Sequence, residues 1–232
     1  MIDGIVFDKD GTLFDFRAAW TPWARQVVDE LSTGPGHARA LGRALGFDPA
    51  TGRFARDSLV IAATVGDSAR ALLPLLPGWT ETALTDRLNA LSMAVPLAEV
   101  VPLRAFLTGL RNRGLRLGLA TNDAEAPARA HLAACGIEDR FDFVAGSDSG
   151  HGGKPGPGML LAFLCATGLP PERAVMVGDS LHDLAAARAA GMRRVAVLTG
   201  IAGPAELAPH AEAVLGDIGA LPAWIDGLSA AP

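Results

Sequence analysis

The chain reads as an α/β protein, a doubly wound parallel sheet with an all-helical segment inserted after its first strand. Three observations predict this. Short apolar runs bounded by Gly, Asp, Asn or Ser recur at 4–7, 115–120, 141–145, 174–177 and 195–198, the pattern of buried parallel strands. Between the later runs stand amphipathic stretches of helical period at 103–113, 124–134, 157–167 and 181–190. Residues 15–98 break this alternation: no clear strand is visible, and Ala, Leu and Arg dominate.

Each element has a local reason. Gly4-Ile5-Val6-Phe7 stops at the acidic Asp8, as a buried strand reaching the edge of its sheet does. Asp15 to Arg17 mark the departure from the α/β part, and Pro96 and Pro102 the return. The predicted division is therefore 1–14 with 99–232 for the sheet, and 15–98 for the helical insertion. Within the insertion, apolar helical faces run over 20–31, 38–45, 58–76 and 81–91. Gly114, Gly136, Gly168 and Gly191 each follow a helix of the α/β part, where a residue of positive φ is wanted.

Composition narrows the function. Half of the 232 residues are hydrophobic and 19% charged, enough for a sizeable core and no mark of disorder. Net charge is −5 without an acidic or basic block, which argues against a nucleic-acid partner. No signal peptide is visible, and runs such as Ala71-Leu72-Leu73-Pro74-Leu75-Leu76 fall far short of the ~20 residues that cross a bilayer. Cys135 and Cys165 are expected as buried reduced thiols. The expectation is a soluble cytoplasmic protein without a membrane partner, monomeric or homodimeric.

Lysine usage is the sharpest compositional feature. Of the 20 Lys and Arg residues only Lys9 and Lys154 are lysines, so a compact ammonium is expected to matter where one persists. Lys9 lies in Asp8-Lys9-Asp10-Gly11-Thr12 and Lys154 in Gly152-Gly153-Lys154-Pro155. Open α/β sheets bind ligands beyond the carboxyl ends of their strands. Asp8 and Asp10, then Thr121 and Asn122, then Asp179, all follow predicted strands. Parallel pairing would set them on one rim, with Lys154 entering between the second and third groups. Singly each is weak, because an Asp at a strand end often only caps the next helix. Together and in this order they are strong.

On these residues the chain resembles the haloacid dehalogenase superfamily, whose members are mostly phosphatases. The family's Asp-x-Asp-Gly-Thr/Val is matched by Asp8 to Thr12, its strand ending in Thr or Ser by Thr121, and its Lys before Pro by Lys154-Pro155. Its Gly-Asp-x-x-x-Asp is matched by Gly178-Asp179-Ser180-Leu181-His182-Asp183, and the likeness runs on to Ala190-Gly191-Met192. The resemblance implies a Rossmann-like core, Mg²⁺ as cofactor and a small phosphorylated metabolite as partner. It implies Asp8 as nucleophile and metal ligand, Asp10 as a main-chain metal ligand, Asp179 as ligand, and Asp183 as outer or alternate ligand. Lys154 would pair with the transferring phosphoryl group, with Thr121, Asn122 and the N–H groups around Gly11 donating to it. The chemistry is coherent. A carboxylate can hold a phosphoryl group as an aspartyl-phosphate, provided positive charge offsets anion–anion repulsion.

Asp10 sets the reaction class, since an acid/base two residues from the nucleophile serves ester cleavage. The family's dehalogenases lack a carboxylic acid there and its cation pumps carry Thr. Lys9 has no firm role. If the segment stays extended its side chain points away from Asp8 and Asp10, toward a surface or outer salt bridge.

Thr121 and Lys154 are too close in sequence to enclose a further domain, so 15–98 is the lid. It resembles the helical cap of the phosphoglycolate phosphatase and β-phosphoglucomutase branches. A cap without lysine argues against phosphonoacetaldehyde hydrolase and β-phosphoglucomutase, although His37 could mimic the latter's histidine. Arg53 and Arg56, in a turn-like break between cap helices, could clamp an acidic leaving group such as glycolate, or equally form salt bridges with Asp57 or Asp48. Arg17 is a third candidate, and Phe14-Asp15-Phe16 makes the hinge side of the pocket less polar. His151 and His182 are expected as solvated residues. The expected function is an Mg²⁺-dependent phosphatase most like phosphoglycolate phosphatase. The alternatives are a sugar-phosphate or nucleotide monophosphatase, a phosphomutase, or a non-catalytic module that binds a phosphate ligand.

Overall fold

In the computed structural model, which describes residues 1–230, the first apolar run becomes β1 (Gly4–Phe7), buried throughout. The chain then enters a helical segment: α1 (Phe16–Leu31), α2 (Pro35–Leu45), the paired β2 (Phe47–Asp48) and β3 (Arg53–Phe54), α3 (Leu59–Ala62), α4 (Val65–Leu72) and α5 (Glu81–Ser92). It returns through α6 (Leu103–Asn112), β4 (Arg116–Ala120), α7 (Glu125–Ala134), β5 (Phe143–Ala145), α8 (Gly158–Thr167), β6 (Ala174–Gly178), α9 (Leu181–Ala189) and β7 (Arg193–Val197). Then follow α10 (Pro204–Leu207), β8 (Ala213–Leu215) and α11 (Leu221–Ala230).

Six strands pair in parallel in the order β5-β4-β1-β6-β7-β8. Phe7 stands opposite both Leu119 and Val177, so Asp8 comes level with Ala120 and Gly178. Thr121 and Asp179 lie one residue beyond. This register brings together groups more than a hundred residues apart in the chain.

Alternation along the central strands divides their side chains between two faces. Ile5, Phe7, Leu117, Leu119, Val175 and Val177 join a cluster with Leu107, Leu132 and Leu221 of α6, α7 and α11. Val6 and Met176 join Phe163 of α8 and Ala187 of α9. Both faces are covered, which is why these strands read as unbroken apolar runs. The four glycines expected after helices, Gly114, Gly136, Gly168 and Gly191, have φ of 80°, 63°, 68° and 73°.

The helical segment gathers its own cluster, in which Trp20, Trp23, Val27, Leu41, Leu72 and Leu88 are buried. Its two connections to the sheet run side by side: Asp15 N donates to Ala98 O at 2.8 Å and Val100 N to Leu13 O at 3.0 Å. Two expectations fail inside it. Residues 58–76 are not one helix: Ser58 caps α3, and Thr64 opens α4 through a reciprocal cap with Asp67. Side-chain oxygens restart the backbone there, which apolar periodicity does not reveal. The segment also holds a hairpin, β2 with β3, pinned by Phe47 opposite Phe54 with ring centroids 5.0 Å apart.

Elsewhere β8 had no sequence signal, being a three-residue edge strand that is only partly buried. The cysteines are unpaired but not buried as expected: Cys135 is half-buried and Cys165, on the solvent side of α8, is exposed. No described helix is long and apolar enough to cross a membrane.

Candidate active site

Asp8 remains bonded into the sheet, its N–H donating to Val177 O at 2.9 Å. The chain then turns sharply, with Lys9 O accepting from Leu13 N at 2.9 Å and Phe14 N at 3.1 Å. Gly11 takes φ +80° in this turn, and a Cβ there would also strike the Asp179 carboxylate, so only glycine fits. Thr199 Oγ1 donates to Gly11 O at 2.6 Å and ties the turn to the segment after β7.

At the end of β6, Ser180 and Asp183 form a reciprocal cap on α9. Asp183 Oδ2 accepts from Ser180 N at 3.1 Å and from Ser180 Oγ at 2.7 Å. The other oxygen of Asp183 accepts from Lys154 Nζ at 2.6 Å, and Asp8 Oδ1 accepts from the same nitrogen at 2.6 Å. Asn122 sets the lysine: its Oδ1 accepts from Lys154 N at 2.8 Å and its Nδ2 donates to Lys154 O at 3.0 Å. The Lys154–Pro155 peptide is cis. Thr121 is buried beside them, its Oγ1 accepting from Asp123 N at 3.1 Å.

Carboxylate oxygens of Asp8, Asp179 and Asp183 lie within 4.8 Å of one another. Burial pushes Asp8 up to about 7, Lys154 working against the rise and Asp183 adding to it. Asp179 is raised well above its ordinary value, first by burial and then by Asp8 and Asp183. Burial works against the Lys154 ammonium too, yet Asp183 and Asp8 hold its pKa above the usual lysine value. Fully ionised, three carboxylates facing one ammonium leave two negative charges in surplus. An all-oxygen donor set with that surplus fits a hard divalent cation such as Mg²⁺. The carboxylate of Asp10 stands outside this triad, which leaves its main-chain carbonyl as the group it could offer a cation.

The Lys9 expectation was wrong. Its side chain is fully buried, with Nζ 2.6 Å from Asp10 Oδ2, 2.9 Å from Asp123 Oδ2 and 3.1 Å from His131 Nδ1. Side chains alternate only while the backbone stays extended, and here it turns at Lys9 itself. Burial disfavours the ammonium, but Asp10 and Asp123 raise its pKa above the ordinary value. His131 is pulled down to about 4, by burial and then by Lys9.

A crevice of about 40 Å³ lies between the rim and the helical segment. Asp8, Asp10, Thr121, Asn122, Lys154 and Asp179 line its sheet side, and the opposite side is apolar: Phe16, Trp20, Val60, Ile61 and Ala63. The two cap arginines part company. Arg56 lines an adjoining cleft with Asp179, Ser180 and His182, whereas Arg53, in β3, lines a separate groove with Arg39 and Arg43. Arg17 and His151 are exposed. His182, expected as a solvated helix residue, is half-buried and lines the crevice. His37 is held inside the helical segment, at 3.0 Å from Leu75 O.

Four residues of this neighbourhood escaped the sequence reading. A Cβ at Gly200 would overlap the Asp179 carboxylate, and Thr199 holds the Gly11 turn. Both follow β7, so the rule of strand carboxyl ends, carried one strand further, finds them. Asp123 and His131 gave no comparable signal.

The family model for haloacid dehalogenase-like hydrolases matches residues 2–191. A phosphoglycolate phosphatase from Rhodospirillum rubrum is 33% identical over 231 residues, covering 97% of this chain and 91% of that protein. The tyrosine-protein kinase PtkA of Mycobacterium tuberculosis is 35% identical over 208 residues, covering 83% of this chain and 61% of that protein. Among solved structures, CbbY from Rhodobacter sphaeroides in complex with phosphate shares the fold at a TM-score of 0.71 and 24% identity, covering 95% of this chain and 96% of that one. The motifs on the rim, the parallel sheet that aligns them and the match over most of its length agree: the chain belongs to the haloacid dehalogenase-like hydrolase family.

Proposed function

We propose that the chain is an Mg²⁺-dependent phosphomonoester hydrolase working through a phospho-Asp8 intermediate, with 2-phosphoglycolate first among the candidate substrates. The observation that carries the reading is the bridge from Lys154 Nζ to Asp8 and Asp183, 2.6 Å each, with Asp179 completing a carboxylate triad. Asp8, Asp179 and the carbonyl of Asp10 would hold Mg²⁺, with Asp183 behind them or as an alternate ligand. Bound there, the cation offsets the repulsion between an anionic nucleophile and an anionic ester.

In the first step an Asp8 oxygen bonds to phosphorus as the ester P–O bond breaks, and the Asp10 carboxyl gives its proton to the departing oxygen. In the second step Asp10 takes a proton from water as the water oxygen bonds to phosphorus. The Asp8–phosphorus bond then breaks and inorganic phosphate leaves. Asp10 suits this exchange: burial raises its pKa, and its Oδ1 is buried without a partner among the described residues. Lys154 and Thr121 would steady the phosphoryl oxygens; the Gly11 N–H, expected among these donors, is instead spent on Phe14 O at 2.7 Å inside the turn. Asn122 would act through the lysine main chain it grips.

Residues 15–98 would form a lid over a core of 1–14 and 99–232, swinging on the paired connections at 13–15 and 98–100. A space of about 40 Å³ takes only about three waters, so an ester enters when the lid opens. Arg56, beside Asp179, would read the carboxylate of a glycolate leaving group; Arg53 would not. The name of the Rhodospirillum rubrum relative supports that substrate. A second reading rests on the apolar lid side of the crevice, which favours an uncharged leaving group such as a sugar or alcohol.

Phosphate release with Mg²⁺ from a panel containing 2-phosphoglycolate, sugar phosphates and nucleotides decides between the two readings. Asp8→Asn is expected to abolish release on every ester. A fully active Asp8→Asn chain overturns the mechanism.

A further inference from the structure

Lys9 is one of only two lysines, is fully buried, and has no part in the chemistry just described. A lysine ammonium has three donors and no acceptor. Here it meets three acceptors, all within 3.1 Å: Asp10 Oδ2, Asp123 Oδ2 and His131 Nδ1. Both carboxylate contacts are ion pairs, Asp10 Oδ2 the nearer at 2.6 Å and Asp123 Oδ2 at 2.9 Å, and the hydrogen bond is to His131 Nδ1. His131 is itself anchored, its Nε2 2.8 Å from Ser92 O at the end of α5. A carbonyl can only accept, so Nε2 carries the ring proton and Nδ1 turns its lone pair to the ammonium. The ring of Trp20, in α1, covers Lys9 with its centroid 5.6 Å from Nζ. The ammonium is thus held from the strand end, from α7 and from both ends of the helical segment.

The consequence falls on Asp10. With Oδ2 committed to Lys9, the carboxyl is left with Oδ1, which is buried, has no partner among the described residues and belongs to a residue lining the crevice. We infer that Lys9 is a positioning residue: it grips one oxygen of Asp10 so that the other is presented to the leaving group and then to water. This rests on the phosphatase reading above. Lys9 touches no reacting atom. Its role is to hold the proton carrier at one rotamer in a site whose other carboxylates would repel it.

Lys9→Met keeps the aliphatic stem and removes the grip. An alkyl phosphate needs a proton at its leaving oxygen, and p-nitrophenyl phosphate does not. For the alkyl ester kcat is expected to fall about 10²-fold or more, the scale of lost acid–base assistance, with KM moved less than about threefold. For p-nitrophenyl phosphate the first step survives and the second, which needs Asp10 as base, stalls. A burst of one nitrophenolate per chain should precede a slow steady state. Unchanged kcat on the alkyl ester, or an equal loss on both esters without a burst, overturns the inference while the phosphatase reading stands. A wild-type chain that turns over no ester removes that reading and this inference with it. Should Lys9→Met fail to fold, Lys9→Gln serves, since it keeps a polar group for His131 and Asp123 but cannot hold the Asp10 carboxylate as an ion pair. The same split between the two esters supports the inference. Wild-type kcat on the alkyl ester, or an equal loss on both esters without a burst, overturns it.

Discussion

Buried carboxylates facing one ammonium are expected to weaken the fold while no cation is bound, and Asp8→Asn tests this. Asp8 is raised from 3.8 to about 7, chiefly by burial. A carboxylate whose folded pKa is raised costs nothing below its unfolded value near 3.8. The cost grows between that value and about 7 and is complete above it. At pH 8 the rise from 3.8 to about 7 is worth about 4 kcal/mol, an upper bound because Asn also gives up the bond to Lys154. In EDTA at pH 8, Asp8→Asn should therefore melt higher than wild type, each kcal/mol moving Tm by about 2–4 °C in a chain of this size. At pH 4 the gap should close. Mg²⁺ at a hundred times its Kd should stabilise wild type by about 2.7 kcal/mol, or about 5–11 °C, and the variant by less. Thermal melts by circular dichroism at the two pH values, with EDTA or Mg²⁺, read all four corners. An Asp8→Asn chain that melts at or below wild type at pH 8, with a gap independent of pH, would refute the reasoning.

Three further outcomes are expected. Gly200→Ala puts a Cβ into the space of the Asp179 carboxylate, so it should lower kcat at least tenfold and shrink the Mg²⁺-induced rise in Tm, leaving the far-ultraviolet spectrum unchanged. Arg56→Ala should raise KM for 2-phosphoglycolate about tenfold and leave KM for an uncharged alkyl phosphate alone, whereas Arg53→Ala should change neither by more than about twofold. His131 is depressed from 6.5 to about 4, so its contribution to stability is present above pH 6.5 and is lost as pH falls toward 4. Between pH 7.5 and 5, wild type should lose on the order of 1–2 kcal/mol more than His131→Gln in urea denaturation. The raised carboxylates act in the opposite direction; Asp8 and Asp179 are common to both chains, while Asp10 faces His131, so the difference reads the imidazole together with its effect on Asp10.

Much of the candidate site was legible because its polar groups sit at strand ends. Asp8, Thr121 and Asp179 each close an apolar run, and parallel pairing in register does the rest. Helix ends were legible through their glycines, since positive φ narrows the choice of residue. The restart at Thr64 was hidden, because a Thr–Asp cap inside an apolar stretch looks like an ordinary helix surface. β8 was hidden by its length. Lys9 departs from expectation for a physical reason: side chains alternate sides only along extended backbone, and β1 has already ended at Phe7. The cap arginines are the instructive middle case, two near neighbours in one loop, of which the β2–β3 hairpin carries Arg53 to another groove and leaves Arg56 beside the rim.

By itself the sequence determined the family, the sheet with its inserted helices, and the core set of charged residues, because these depend on local patterns of apolar run, turn and motif. Only the tertiary structure decided how the charges divide. Lys154 joins Asp8 and Asp183 in one cluster while Lys9 joins Asp10, Asp123 and His131 in another. Two consecutive residues, Asp8 and Lys9, serve different clusters because a turn of the backbone sends their side chains to different neighbours. Apart from Asp10, those neighbours come from loops and helices more than a hundred residues away, and no spacing along the chain records which of them a buried charge will meet.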